Sequence, residues 1–340
     1  MSSSPSQPPL SFPLRCRPLL KPKIWGGRGL ATVLGKELPA GEAIGESWEV
    51  ADVPEGTSGI ADGPLAGLSL REAMVRVGDE LLPGWGAAQF PLLVKFIDAQ
   101  EDISIQVHPD AEVCRRLFPA ERSKNETWLI VHVEPGAAVL HGVHPGVTID
   151  ELCGRIADGT VTQVMRRIDV RPGDVIHLPA GTLHAMLRGV MLLEVQEPSD
   201  STFRVYDHDR VGLDGKPREL HIDQALESLR LNGHAPALIE PRREPCAWGE
   251  RELPIDLAPY RVERLTLRRP MSWRPDPGCP AVLVVVSGEL EFEAGPAQGW
   301  AGALRMGETT IVPPAARMIL TPCGECRVVV AHPRRPGAAS

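Results

Sequence analysis

Three short stretches of this chain carry side chains suited to holding a metal ion. In Gln106-Val107-His108 the polar residues are two apart, so on a strand both face one side while Val107 faces the other. Glu126 opens a β-like run that continues to Val133. The string Gly173-x5-Pro179-x-Gly181-x2-His184 reads as a glycine turn, a strand whose ladder Pro179 ends, a sharp bend at Gly181, and a histidine aimed back inward. Polar side chains turned into a β-core cost a few kcal/mol each unless they find partners or a metal. Gln106, His108, Glu126 and His184 together offer two oxygen and two imidazole donors. His and Glu are typical zinc ligands, and oxygen-rich ligation also suits manganese or iron. Such a set leaves room for water or substrate, an arrangement for catalysis rather than for structure alone.

Separate strands must bring these residues together, and the chain is built for strands and turns. Its 340 residues include 33 Gly and 34 Pro, about a fifth of the chain, against about 12% in average usage. Strands are expected at 46–51, 90–98, 103–108, 126–133, 174–178 and 190–196. Helical insertions are expected at about 68–82 and, with a break at Gly159, at 148–168, opened by the capping boxes Ser69/Glu72 and Thr148/Glu151, and at 110–120 and 221–232. The last hundred residues return to strands and turns. Arg171–Ala180 has a counterpart in Arg305–Pro314: each holds a Gly–acid turn (Gly173-Asp174, Gly307-Glu308) and then a strand ending at proline. Trp128–Gly136 similarly resembles Leu283–Gly288. In the second copy Met318 stands where His184 stands in the first, and no Gln-x-His precedes it. A thioether there is a core filler, so that copy is expected to be metal-free.

The Gly173–His184 string resembles the second signature motif of the cupins, which hold a divalent metal inside a jelly-roll barrel. The expected fold is therefore mainly β: two cupin (jelly-roll) barrels with helical insertions in the N-terminal half. A metal-binding domain would occupy 10–240 and a metal-free one 245–335. A Pro/Arg-rich linker would lie around 235–245, with flexible tails at 1–9 and 336–340.

Lys plus Arg is 36 and Asp plus Glu is 44, a net charge of −8, which argues against a nucleic-acid partner. No stretch approaches the roughly 20 apolar residues of a membrane helix, and Met1–Pro9 has no secretory pattern. The 7 cysteines are scattered, and only Cys323 and Cys326 form a CxxC, without the second pair a structural zinc site needs. A cytoplasmic protein without a membrane partner, monomeric or homodimeric, is expected.

In several segments the chain resembles the type I mannose-6-phosphate isomerases in their shorter bacterial form. The densest are Pro91–Asp110, Lys124–Val131, Gly173–Met186 and Leu193–Arg210, with Ile24–Gly27 and Gly45–Glu49 upstream; the likeness spans about 13–335. The resemblance implies one zinc ion per chain, bound by Gln106, His108, Glu126 and His184. It also implies interconversion of mannose 6-phosphate and fructose 6-phosphate through an enediol. By the same resemblance Glu194 is the candidate base, with an ordinary carboxylate ion-paired to Arg204 as the alternative. Arg204, Lys124 and Lys95 match active-site cations, and Ser104, Lys95 and Arg204 substrate-binding positions. Lys95, Lys124 and Arg204 are where an acidic protein would concentrate positive charge for an anionic sugar. A cupin isomerase of another phosphosugar, such as glucose 6-phosphate, or a non-catalytic sugar-binding cupin are the competing readings. His132, His141 and His144 read as turn or surface histidines, and His177 as facing away from its strand neighbours. Trp25, Trp48 and Trp128 read as core before they read as a sugar-stacking surface.

Overall fold

A computed structural model describes residues 10–231, 237–294 and 300–335. The tails expected at 1–9 and 336–340 and the start of the linker lie outside the described residues. The chain is mainly β and falls into two compact units, one formed by Pro18–Gly56 and Leu92–Glu240, the other by the segments up to Arg17, Thr57–Pro91 and from Pro241 onward.

The first unit is built from two antiparallel sheets. One runs in the order Val175–Leu178, Glu126–Val133, Val190–Gln196, Leu93–Ala99, Ile44–Val50, Leu19–Gly27. The other runs Met165–Asp169, Ala138–Val143, His184–Met186, Ile105–Val107, Phe203–Tyr206. Alternation sorts their side chains. Ile97, Trp128, Ile130, Val139, Met186 and Leu192 pack into a core that draws on both sheets. Ile105, Val107, Leu140, Phe203 and Val205 point the other way, into a second cluster with Leu152 and Ile156 of helix Ile149–Ala157 and Ala225 of helix Ile222–Ser228. Helices cover that back face, and Gln106, between Ile105 and Val107, is left to point inward.

The second unit repeats this order of pairing. Its larger sheet contains Thr309–Val312, Ala281–Ser287, Cys326–Pro333 and Tyr260–Leu267 as neighbours, matching the first four strands of the larger sheet above. Its smaller sheet runs Trp300–Arg305, Glu289–Ala294, Met318–Pro322, Met271–Trp273, matching the second sheet in the same way. Met318 is buried among Leu283, Phe292, Leu320 and Val330, a filler in an apolar core.

Two expectations need correction. Leu14–Arg17 pairs with Thr309–Val312 and with Gly59–Ile60, so residues 10–17 and 57–91 group with the C-terminal strands rather than with the N-terminal unit. The helical stretch expected at 148–168 breaks at Gly159 as expected, where φ is +73°, but beyond the break only the 3-10 turn Val161–Val164 is helical and Met165–Asp169 is a strand. The other helices are Leu70–Leu81, with its Ser69/Glu72 capping box formed, Ala111–Leu117 and Ile222–Ser228.

Candidate active site and metal centre

The register of the two sheets draws the chemistry-bearing residues together. His184 lies opposite Gln106, and Arg204 lies opposite Gln106 on its other side. Across the facing sheet Glu194 pairs with both Lys95 and Trp128, and Glu126 pairs with Leu178 and Gln196. Gln106, Lys124, Glu126, His184, Glu194 and Arg204 line one cavity of about 240 Å³, together with Lys95 and Ser104.

The ligand atoms of His108, Glu126 and His184, all buried, lie within 4.8 Å of one another, and no other such group of His, Cys, Asp or Glu occurs among the described residues. The Nδ1–H of His108 donates to the Ser201 carbonyl at 2.7 Å, and that of His184 to the Thr182 carbonyl at 2.8 Å. Each ring is thereby fixed with its Nε2 lone pair toward Glu126, as second partners fix metal-ligating histidines. Burial and then the neighbouring His108 push His184 down to about 3, and burial and then Lys124 lower His108, so both rings are neutral and able to ligate. Burial would raise the Glu126 carboxyl, but the Lys124 ammonium, at 2.6 Å, holds it well below its ordinary range. Glu126 Oε1 is held by Lys124, and Oε2 is buried without a hydrogen-bond partner. The Gln106 amide stands 3.4 Å from His184 Nε2 and accepts from Ser104 Oγ at 3.4 Å. Neutral imidazoles, an ionised carboxylate with open lone pairs and a nearby amide fit a divalent cation.

Glu194 is not paired with Arg204. Its Oε1 stands 3.0 Å from Lys95 Nζ and its Oε2 accepts the Trp128 Nε1–H at 2.8 Å. That pair is asymmetric. Burial disfavours the Lys95 ammonium, but two carboxylates, Glu194 and Glu46, raise it above its ordinary value. Glu194 faces one more anion: burial, then the charge of Glu126, push its carboxyl upward against Lys95 and Lys124. Arg204 donates from Nη1 to the Glu219 carbonyl at 2.8 Å, and its Nε is buried without a partner.

Four charged cavity residues were not singled out from sequence: Lys23, Glu46, Asp200 and Arg218. Glu46 accepts the Trp48 Nε1–H at 2.6 Å and pairs with Lys23 at 3.1 Å. Burial would raise it, yet Lys95 and Lys23 bring it down to about 2. The alternation of Glu46-Ser47-Trp48 could have found Glu46, because it shares a strand face with a large apolar residue. Nothing local marks Arg218. Among the histidines, His132 and His144 are exposed as expected, but His141 is buried, with Arg166 bonding its Nδ1 at 3.1 Å. His177 bonds the Glu126 backbone carbonyl at 3.0 Å and does not line the cavity. Trp25 and Trp128 are both core and cavity wall.

A sequence model described as the catalytic domain of type I phosphomannose isomerase matches residues 12–125. The chain is 36% identical to the mannose-6-phosphate isomerase ManA of Bacillus subtilis, over 64% of this chain and 68% of that protein. It is equally 36% identical to the mannose-6-phosphate isomerase of Streptococcus mutans, over 67% of this chain and 71% of that one. The crystal structure of the Bacillus subtilis mannose 6-phosphate isomerase superposes with a TM-score of 0.86 at 30% identity, over 94% of this chain and 99% of that chain. A phosphomannose isomerase structure from Salmonella typhimurium, at 16% identity and a TM-score of 0.73, shares the fold. The chain belongs to the type I phosphomannose isomerase family.

Proposed function

We propose that this chain interconverts mannose 6-phosphate and fructose 6-phosphate through an enediol, in the cavity lined by Glu126, His184 and Glu194. The observation that carries the reading is a carboxyl with a raised pKa lining one cavity with Glu126 and His184 of the metal-competent triad and with an arginine without a carboxylate partner. Family membership points the same way. We assign Gln106, His108, Glu126 and His184 as ligands of a zinc ion, within the first of two cupin barrels. When bound, zinc supplies Lewis-acid polarisation of the sugar carbonyl and a template for its oxygens.

The chain's own residues do the rest. Glu194 is the base: its carboxylate takes the proton from one sugar carbon and returns it to the neighbour, and its raised pKa brings it toward neutrality where such transfer is efficient. The Trp128 Nε1–H holds one Glu194 oxygen and leaves the other toward Lys95. Lys95 and Lys124 keep the site's carboxylates in place, and each ammonium can hydrogen-bond substrate oxygens. Ser104, Lys95 and Arg204 bind substrate, with Arg204 presenting its guanidinium to anionic oxygens. Among the described residues no helix is long and apolar enough to cross a membrane, and the cytoplasm is the compartment we infer.

A coupled assay on mannose 6-phosphate, run before chelation, after it and after zinc is restored, tests the proposal. Activity lost on chelation and regained with zinc is expected. Activity indifferent to chelator would overturn the ligand assignment, and turnover of a different aldose phosphate alone would overturn the substrate.

A further inference from the structure

The cations around the cavity are not equivalent. Lys23, Lys95 and Lys124 each stand against a carboxylate: Glu46 at 3.1 Å, Glu194 at 3.0 Å and Glu126 at 2.6 Å. A phosphate drawn onto them would set its own charge beside those carboxylates. The two arginines of the cavity differ. Arg204 has no carboxylate within ion-pair distance among the described residues; its Nη1 is spent on the Glu219 carbonyl and its Nε is buried and unpartnered. Arg218 donates from Nε to Asp207 Oδ2 at 2.6 Å and from Nη2 to Asp207 Oδ1. Arg210 donates to the same carboxylate at 3.0 Å. Asp207 thus serves two guanidinium groups, with Arg210 also 3.6 Å from Glu101, while Arg204 lines the cavity beside Asp200 without an ion pair among the described residues, so the guanidinium groups of Arg204 and Arg218 both keep donors for an anion.

The backbone is shaped to produce that grouping. His208 and Asp209 take φ values of 56° and 52°, consecutive left-handed non-glycine residues of a kind that costs energy and clusters at functional sites. They turn the chain directly after Asp207. Gly212 N–H then donates to the Lys216 carbonyl at 2.6 Å, and Val211 bridges Pro217, which returns Arg218 to Asp207. Lined up on Asp207 through two of its nitrogens, Arg218 keeps Nη1 for a ligand. Planar guanidinium groups match phosphate oxygens better than a point-charge ammonium does.

We propose that Arg218, clamped on Asp207, reads the phosphate monoester of the substrate jointly with Arg204 and so sets the preference for a phosphorylated over an unphosphorylated sugar. Asp207 and Arg210 are positioning residues for it. The inference rests on the isomerase reading only for the identity of the sugar; the anion subsite stands on geometry.

The test compares Arg218→Gln and Arg218→Lys with the wild type for binding of inorganic phosphate by calorimetry, and for KM and kcat on mannose 6-phosphate and on mannose. In Arg218→Gln the dissociation constant for inorganic phosphate and the KM for mannose 6-phosphate should each rise about 10–100-fold, as for one lost charged hydrogen-bonded contact. The preference for mannose 6-phosphate over mannose should shrink by the same factor, with Arg218→Lys in between. Phosphate binding and KM within twofold of wild type, or a loss confined to kcat, would overturn the subsite. Should Arg218→Gln fail to fold, Arg218→Lys, which keeps the charge but gives up the planar fork, decides by the same readouts. A wild type inactive on mannose 6-phosphate whose phosphate binding still depends on Arg218 would sink the isomerase reading and leave the subsite. An active wild type whose phosphate binding ignores Arg218 would do the reverse.

Discussion

Replacing Glu194 by glutamine separates a catalytic carboxylate from a structural one. The two roles predict opposite balances between rate and stability. A buried ion pair that holds the fold costs about 3–5 kcal/mol when one partner is removed. The Lys95 and Glu194 side chains are 4% and 3% exposed, so on burial alone that loss would be expected. The surroundings argue otherwise. Lys95 keeps Glu46 as a second carboxylate, and the amide oxygen of the introduced glutamine can still accept the Trp128 N–H. The ionised Glu194 is itself disfavoured by burial and by Glu126, as its raised pKa records. For a carboxyl with a raised folded-state pKa, the stabilising contribution is present at low pH and is lost as pH rises through that pKa, so at neutral pH the charge is a burden on the fold. Glu194→Gln should therefore change unfolding stability at pH 7 by no more than about 1 kcal/mol, the scale of one net hydrogen bond. It should lower kcat on mannose 6-phosphate by about 10²–10⁴-fold, the range for loss of a general base. The acid limb of the wild-type kcat/KM profile, which should lie above the ordinary Glu value of about 4.3, should vanish in the variant. Urea denaturation and steady-state kinetics across pH supply the measurements. A stability loss above about 3 kcal/mol with kcat within tenfold of wild type would refute the reasoning and make Glu194 the structural partner of Lys95.

Two further outcomes follow from the site. Glu46 has its carboxyl lowered to about 2, so its contribution is present above the ordinary Glu range and is lost as pH falls from there toward 2. Glu46→Gln should lose about 3 kcal/mol at pH 7 and show a correspondingly shallower fall in urea-measured stability between about pH 5 and pH 2.5. Equal pH slopes for variant and wild type would refute it. His184→Ala should lose bound metal, measured by atomic emission, whereas Arg204→Ala should keep it and lose about 10²–10³-fold in rate. An Arg204→Ala protein without metal would overturn that division of roles.

The sequence by itself determined the pieces whose signals are local. Short, near-continuous apolar runs bounded by turns marked the Glu126–Val133 and Val190–Gln196 strands to the residue, as expected of strands buried on both faces. The capping box at Ser69/Glu72 fixed the start of its helix through contacts three residues apart. The repeat of the Gly–acid turn and proline-ended strand pointed to two related halves, and the two units do share an order of strand pairing. That His108, Glu126 and His184 would come together was legible because metal ligation restricts residue types and the strand period restricts their spacing.

Tertiary structure decided the electrostatics. Whether Glu194 meets Arg204 or Lys95 depends on which strands are neighbours, a matter of sheet order that no window of sequence contains. The same holds for Leu14–Arg17, whose partners Thr309–Val312 lie nearly a chain length away, and for Arg218, brought to Asp207 by a turn through two left-handed residues. Residue type and spacing say which groups are able to do chemistry. Charge and proton affinity depend on what surrounds each group at a few ångströms, and that is set only when distant strands close around them.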